Sequence, residues 1–308
     1  MFYIELEENM DKFMNQYMNL PRSIIKMRFN SKCKNGKFEI KKVGGKDCVV
    51  LPGVNEKILK NLQKFLQIRC EKNLCVSENL RENEQFQKFA DENDWKIMDG
   101  KWLFKHVLLE CMQYVAMMKQ ESLQSMEISI LCHQVDKIIF GELEKICLQF
   151  KKINILTSQE KQFGKLSEKI FLETGKRLVV SNNIKKMTQK SHMVVNFDFE
   201  KRELEKCNFA KNVYVFDLTG SKKEGNGRNV IFFEIDMPEK YKQYEEELSG
   251  FKRSILYESL IYKNTLYENI QKEIEEDDAR VLYLEDSNQK KIKNPHLNLE
   301  KSLDKIVI

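Results

Sequence analysis

Residues 127–136 read EISILCHQVD. The first six form a nearly unbroken apolar run of strand length. Phe140, Leu143, Ile146, Cys147 and Phe150 then follow at helical spacing. A short apolar run without polar alternation reads as a strand covered on both faces. The same alternation repeats downstream. Ile153–Leu156 (INIL) is a second strand, and Gln162–Thr174 is a helix ended by Gly175, where a helix C-terminal glycine belongs. Arg177–Ser181 (RLVVS) is a third strand and Ile184–Lys190 a short helix. His192–Phe197 (HMVVNF), Asn212–Leu218 (NVYVFDL) and Asn229–Ile235 complete the set. Strands alternating with helices imply right-handed crossovers and a parallel sheet. The fold class is therefore α/β, with a doubly wound parallel sheet.

Outward from this segment, the chain divides into four parts. Residues 1–97 read as a smaller N-terminal mixed α/β lobe. Phe2–Leu6 and Ser23–Phe29 read as strands, and Met10, Phe13, Met14, Tyr17 and Met18 recur at helical spacing. Val43-Gly44-Gly45-Lys46 lies between strand-like runs and signals a hairpin. Ile58, Leu59, Leu62, Phe65 and Leu66 form a helical stripe. Residues 98–122 read as a long linking helix after the Asp99-Gly100 turn. Residues 123–236 form the Rossmann-like domain. Residues 237–308 are expected to be helical, with a loosely held polar tail.

The chain has 308 residues, enough to bury a core without disulfide or metal staples. Hydrophobic residues make up 42%, which excludes a wholly disordered chain, and 12 Gly with 4 Pro exclude low-complexity architecture. The net charge of +5 comes from 43 Lys and 9 Arg against 47 acidic residues. The lysines are scattered among Glu and Asp, as on a solvated surface, so nucleic acid is not an expected partner. Eight cysteines contain no CxxC pair. Cys111, Cys132 and Cys147 fall in apolar patterns and read as small buried hydrophobes. No metal site is expected. No stretch approaches the 18 or so apolar residues that span a bilayer, and the MFYIELEEN start is not a signal peptide. The expectation is a cytoplasmic protein with reduced thiols and no membrane partner.

Ligands of an open α/β sheet sit outside the carboxyl ends of the strands. That rule nominates His133, Gln134 and Asp136 after the first strand of the domain, and Thr157, Ser158 and Gln159 after the second. It adds Asn182 and Asn183 after the third, Asn196 and Asp198 at the fourth, and Asp217 and Thr219 at the fifth. The ligand-binding candidates are His133, Ser158, Asn182, Asn196, Asp198 and Asp217. His133 is placed to act as a general acid or base, and the plainer reading is an exposed loop histidine. Asp198 and Asp217 could polarise a ligand or simply cap turns. A dinucleotide site needs glycines and free amides at the first turn. Here the turn reads His-Gln-Val-Asp, with no G-x-G-x-x-G. Val135 resists positive φ, and Asp136 is well placed to cap the next helix and repel a phosphate. No cofactor is expected from this turn. The alternative is NADP, its 2′-phosphate held near Thr157, Ser158 and Lys161.

Residues 95–235 resemble the nucleotide-binding half of shikimate-dehydrogenase-like enzymes. Met193-Val194-Val195-Asn196 resembles that family's strand ending in Asn, and Val215-Phe216-Asp217-Leu218 its fifth strand with Asp. Asp99-Gly100 is similar to its catalytic Asp-Gly turn, and CVVLPGVNEK (48–57) to its strand-Pro-Lys motif. The resemblance implies Lys57 and Asp99 as an acid/base pair. The chain departs from the family in the glycine fingerprint, in the N-terminal Ser motif and in the spacing from Pro52 to Lys57. The function expected is binding of a protein partner or an unusual small ligand by a two-lobed Rossmann-like protein without conventional dinucleotide chemistry. The alternative is an NAD(P)-dependent oxidoreductase of shikimate-dehydrogenase-like architecture. A homodimer through the C-terminal helices is a third reading.

Overall fold

The computed structural model describes residues 2–6, 31–32, 34–219, 227–262, 267–286, 288 and 290–293. The helical stripe of Met10–Met18, the strand expected over Ser23–Phe29 and the chain beyond residue 293 lie outside these residues. In chain order the first elements are β1 (Phe2–Leu6), β2 (Glu39–Val43), β3 (Lys46–Leu51), α1 (Glu56–Ile68), β4 (Asn73–Val76), α2 (Glu78–Arg81), α3 (Glu84–Glu92) and β5 (Lys96–Ile97). Next come α4 (Lys101–His106), α5 (Leu108–Lys119), β6 (Glu127–Leu131), α6 (Lys137–Gln149), β7 (Lys152–Leu156) and α7 (Glu160–Thr174). They are followed by β8 (Leu178–Ser181), α8 (Ile184–Thr188), β9 (Met193–Asn196), α9 (Lys201–Leu204), β10 (Val213–Asp217) and β11 (Gly227–Ile235). The last are α10 (Lys242–Glu247), α11 (Arg253–Ile261), α12 (Tyr267–Glu276), β12 (Val281–Asp286) and β13 (Lys291–Lys293).

Two compact units emerge: Met1–Gly100 with Met237–Tyr262, and Lys101–Asp236 with Lys263–Ile308. Residues 237–308, expected as one segment, thus divide between them. The first unit carries a sheet of order β2-β3-β1-β4-β5. β3, β1, β4 and β5 run parallel, and β2 is antiparallel to β3. The expected stripe of α1 buries Ile58, Leu59, Leu62 and Leu66 against Ile4, Val49 and Leu51. Trp95 closes this core, edge-on to Phe89 at 5.6 Å. In α11 the Ser259 and Tyr3 hydroxyls meet at 3.2 Å inside the core.

The Gly44-Gly45 hairpin joins β2 to β3, with Val43 opposite Lys46. Both glycines have positive φ, at 52° and 81°, as a two-residue hairpin turn of this hand requires. Gly44 has a further constraint. A Cβ there would collide with the Tyr244 ring, whose hydroxyl donates to the Gly44 carbonyl at 2.9 Å; Gly45 faces open space. Gly44→Ala is expected to cost about 2 kcal/mol and Gly45→Ala about 1 kcal/mol, since only the former adds a clash to backbone strain. Urea unfolding of both variants checks the order. Equal losses would show that Tyr244 yields freely.

The second unit is built on the expected alternation. Its sheet has the order β13-β12-β11-β10-β9-β6-β7-β8. The six strands from β6 to β11 are mutually parallel. Numbered along the chain from β6, they stand in the order 3-2-1-4-5-6, which is the Rossmann arrangement. The strand order reverses between β6 and β9, and that pair defines the switch point. β6 and β7 are buried from Ile128 and Ile153 onward, which explains their continuous apolar runs. Asp136 caps α6 as expected, accepting the Ile139 amide at 2.7 Å.

Two expectations in this unit are corrected. The linking helix is two helices, interrupted at Val107 (φ −108°, ψ 16°). Both pieces are apolar, so one continuous stripe could be read across the break. Beyond Pro238 the chain is not only helix and tail. β12 pairs antiparallel with β11, and β13 with β12. Val281 and Leu284 of VLYLED are buried. The Tyr114 hydroxyl of α5 donates to the Leu282 and Ile292 carbonyls, at 3.0 and 3.2 Å. The polar flanks masked this strand pair, whose stability comes from an edge that only the folded sheet provides.

Candidate functional site

The site lies at the carboxyl ends of β6, β7, β9 and β10. Leu131 of β6 is opposite Asn196 of β9, so the turns following these two strands meet at the switch point. Asp198, two residues past β9, reaches the turn after β6. Both of its carboxylate oxygens accept the His133 amide at 2.8 Å, and Oδ2 also accepts the Gln134 amide at 2.8 Å. A Rossmann-like fold presents a pyrophosphate to the amides of this turn. Here a side-chain carboxylate of the chain itself occupies them, while Asp136 occupies the amide of Ile139. A dinucleotide does not fit a turn whose donors are engaged by carboxylates, since it would have to displace one anion and approach the other.

His133 is half-buried beneath this turn. Its ring stacks on buried Phe199, with centroids 4.3 Å apart and planes within 13°. Nε2 lies 2.9 Å from the Glu203 carboxylate. Nδ1 faces the Ser158 hydroxyl at 3.1 Å and the Ser158 amide at 3.3 Å. A backbone amide can only donate, so Nδ1 is the acceptor and Nε2 carries the proton donated to Glu203. α9 fixes Glu203 in turn: its other oxygen accepts the Glu200 amide at 3.2 Å, as in a capping box. Ser158 is exposed at the end of β7 and lies just ahead of α7. The N-cap residue of α7, Gln159, makes no side-chain capping bond.

The second cluster lies one strand further. Asn196 Nδ2 donates to Asp217 Oδ1 at 3.0 Å and to the Phe199 carbonyl at 3.0 Å, and its oxygen accepts the Phe199 amide at 2.8 Å. Asp217 Oδ1 also accepts the Thr219 hydroxyl and amide, at 2.8 and 3.1 Å. Burial pushes the Asp217 carboxyl above the usual carboxylate range, and the Thr219 and Asn196 hydrogen bonds with Lys101 partly offset it. Its Oδ2 is buried without a hydrogen bond. Asn196 and Asp217 therefore brace the turn that carries Asp198 and Phe199.

The structure thus brings His133, Ser158 and Asp198 together, and Asn196 with Asp217. Asn182 stands apart, exposed, and lines a cavity of about 890 Å³ with Ile184, Lys185 and Cys207. Neighbouring Asn183 caps α8 by accepting the Lys186 amide at 3.3 Å. The pair carried by family resemblance lies in the first unit. Lys57 follows β3 and Asp99 follows β5, with β1 and β4 between those strands. Lys57 Nζ approaches the Lys34 carbonyl at 3.4 Å. Asp99 lines a cavity of about 520 Å³ with Arg81, Asp91 and Trp95. The two share no contact among those described. Sequence reading passed over Phe199 and Glu203. The only signal for Glu203 is the Glu200-x-x-Glu203 capping spacing, which says nothing of a histidine 70 positions away.

Among the described residues, no three His, Cys, Asp or Glu side chains are grouped to hold a metal ion, and no helix is long and apolar enough to cross a membrane. No protein-family model matches the chain, and no curated protein matches it. Similar solved structures include L-tryptophan dehydrogenase from Nostoc punctiforme, at 9% identity over 90% of this chain and 79% of that one, with a TM-score of 0.32. A dipicolinate synthase from Bacillus halodurans shares 7% identity over 58% of this chain and 56% of its own, with a TM-score of 0.32. An N-acetyl-L-ornithine transcarbamylase shares 9% identity over 73% of this chain and 82% of its own, with a TM-score of 0.26.

Proposed function

We propose that this chain is a cytoplasmic Rossmann-like binding protein that has no conventional dinucleotide chemistry. It engages a small polar ligand or a protein partner at the carboxyl rim of β6, β7 and β9. The observation that carries this reading is Asp198, whose carboxylate sits on the His133 and Gln134 amides. An amide pair already bonded to a carboxylate offers a phosphate no net gain, because one anion must leave for the other to enter. The His133, Ser158 and Glu203 groups beside it remain half-buried or exposed and so within reach of a ligand. Free thiols at every described cysteine agree with a reducing compartment.

Titration of the protein with NAD, NADP and their reduced forms by calorimetry is expected to give no binding tighter than millimolar. Micromolar binding of any one would overturn the reading. It would favour instead an NADP-dependent oxidoreductase of shikimate-dehydrogenase-like architecture. The observation on that side is the 3-2-1-4-5-6 strand order, with Thr157, Ser158 and Lys161 at the end of β7. That reading requires Asp198 to swing off the turn.

A further inference from the structure

We propose that Ser158, His133 and Glu203 form a nucleophile–base–carboxylate relay that hydrolyses small carboxylic esters. This deepens the reading above, because it names the chemical class of ligand at the same rim. The three groups come from three separate strand ends, after β7, β6 and β9. They make one continuous chain of hydrogen bonds, 3.1 Å from Ser158 Oγ to His133 Nδ1 and 2.9 Å from Nε2 to Glu203. The polarity of the chain is the productive one. The Ser158 amide donates to Nδ1, so Nδ1 holds the lone pair and Nε2–H points at the carboxylate. An imidazole in that tautomer can take the proton of the Ser158 hydroxyl, and Glu203 stabilises the imidazolium that results. Stacking on Phe199 fixes the ring plane.

Three further features fit this use. Ser158 is exposed, so an ester can reach Oγ. It stands just before α7, a helix of 15 residues whose first turn has no side-chain cap. The first amides of that helix are available to a developing oxyanion, whereas those of His133 and Gln134 are taken by Asp198. Glu203 is itself held by the Glu200 amide, so it acts as a positioning residue and does not need to touch the substrate.

The step balances within the site. Ser158 Oγ attacks the ester carbonyl carbon and forms the O–C bond as its proton passes to His133 Nδ1. The bond from that carbon to the leaving oxygen breaks, and the leaving alcohol takes the proton from Nδ1. Water then attacks the acyl-serine with the same base, which releases the acid and restores the Ser158 hydroxyl.

The test is labelling of the full chain with a fluorophosphonate, located by peptide mass, together with p-nitrophenyl acetate hydrolysis. A single adduct on Ser158 is expected. Ser158→Ala and His133→Ala are each expected to lose at least 100-fold in kcat. Glu203→Gln is expected to lose about 10-fold in kcat with KM unchanged, a split that simple loss of folding would not produce. Ser158→Ala alters one exposed hydroxyl, so its melting temperature should match the parent and confirm that it folds. Absence of an adduct on Ser158, or labelling undiminished in His133→Ala, would overturn the proposal. An unchanged kcat in Glu203→Gln would remove Glu203 from the relay. The dinucleotide titration is independent of these outcomes, so failure here leaves the binding reading standing, and failure there leaves the relay standing.

Discussion

Asp198→Ala is expected to destabilise the protein by about 3 kcal/mol and, at the same time, to create an anion site where the parent has none. The loss follows from what the carboxylate does. It accepts two backbone amides of the turn after β6, one of them shared between both oxygens, at 2.8 Å throughout. Hydrogen bonds to a charged acceptor contribute about 1.5–3 kcal/mol each, and removing the acceptor leaves the His133 amide half-buried and unmade. The gain follows from the same geometry. The freed amides lie at the switch point of a parallel sheet, where this fold presents donors to phosphates. Inorganic pyrophosphate should then bind at least tenfold more tightly to Asp198→Ala than to the parent, by calorimetry. Asp198→Asn is the internal control. Its oxygen can keep one amide, but its NH₂ meets the other donor to donor, so it should be destabilised without gaining anion affinity. A variant that loses stability but binds pyrophosphate no better would show that Asp136, which still caps α6, is enough to repel it.

How much of this is legible in the sequence depends on the range of the interaction. The six parallel strands are readable because burial on both faces writes a local signature, a run such as INIL or MVVN that needs no partner to be recognised. The Asp136 cap and the Gly44-Gly45 turn are readable for the same reason, since each is decided within about four residues. Asp198 can be nominated by position but not by role, because the amides it satisfies lie 65 residues earlier. Glu203 and Phe199 carry no signal that points to His133. Their relation to it exists only once β9 lies beside β6. β12 escapes notice because its pairing partner, β11, is supplied by the completed sheet, while its own flanks are charged. The break at Val107 is hidden because both helices it separates are apolar.

A second large effect should appear on acidification, through His106. The side chain ends α4 and is buried to 4% exposure. Its Nδ1 accepts Gln271 Nε2 at 3.0 Å, and the same amide group donates to the His106 carbonyl and to Glu142. Lys145 donates to the oxygen of Gln271, so a cation stands behind the amide that bonds the histidine. Burial, reinforced by Lys145 and Lys105 and opposed by Asp136, pushes the imidazole down to about 4. In the unfolded chain it titrates near its ordinary value of about 6.5. Between those values the unfolded state binds a proton that the folded state refuses. Stability is therefore fully present above about pH 6.5 and is lost as the pH falls toward 4, in total about 3 kcal/mol. The carboxyls of Asp217 and Glu110 are raised by burial and work in the opposite sense, since the folded state takes up their protons first. A comparison with His106→Gln isolates the histidine. The stability difference between parent and variant, from urea unfolding, should shrink by about 3 kcal/mol between pH 7 and pH 4. Parallel pH profiles would mean that His106 is charged in the folded protein, and that the Gln271 amide does not occupy Nδ1.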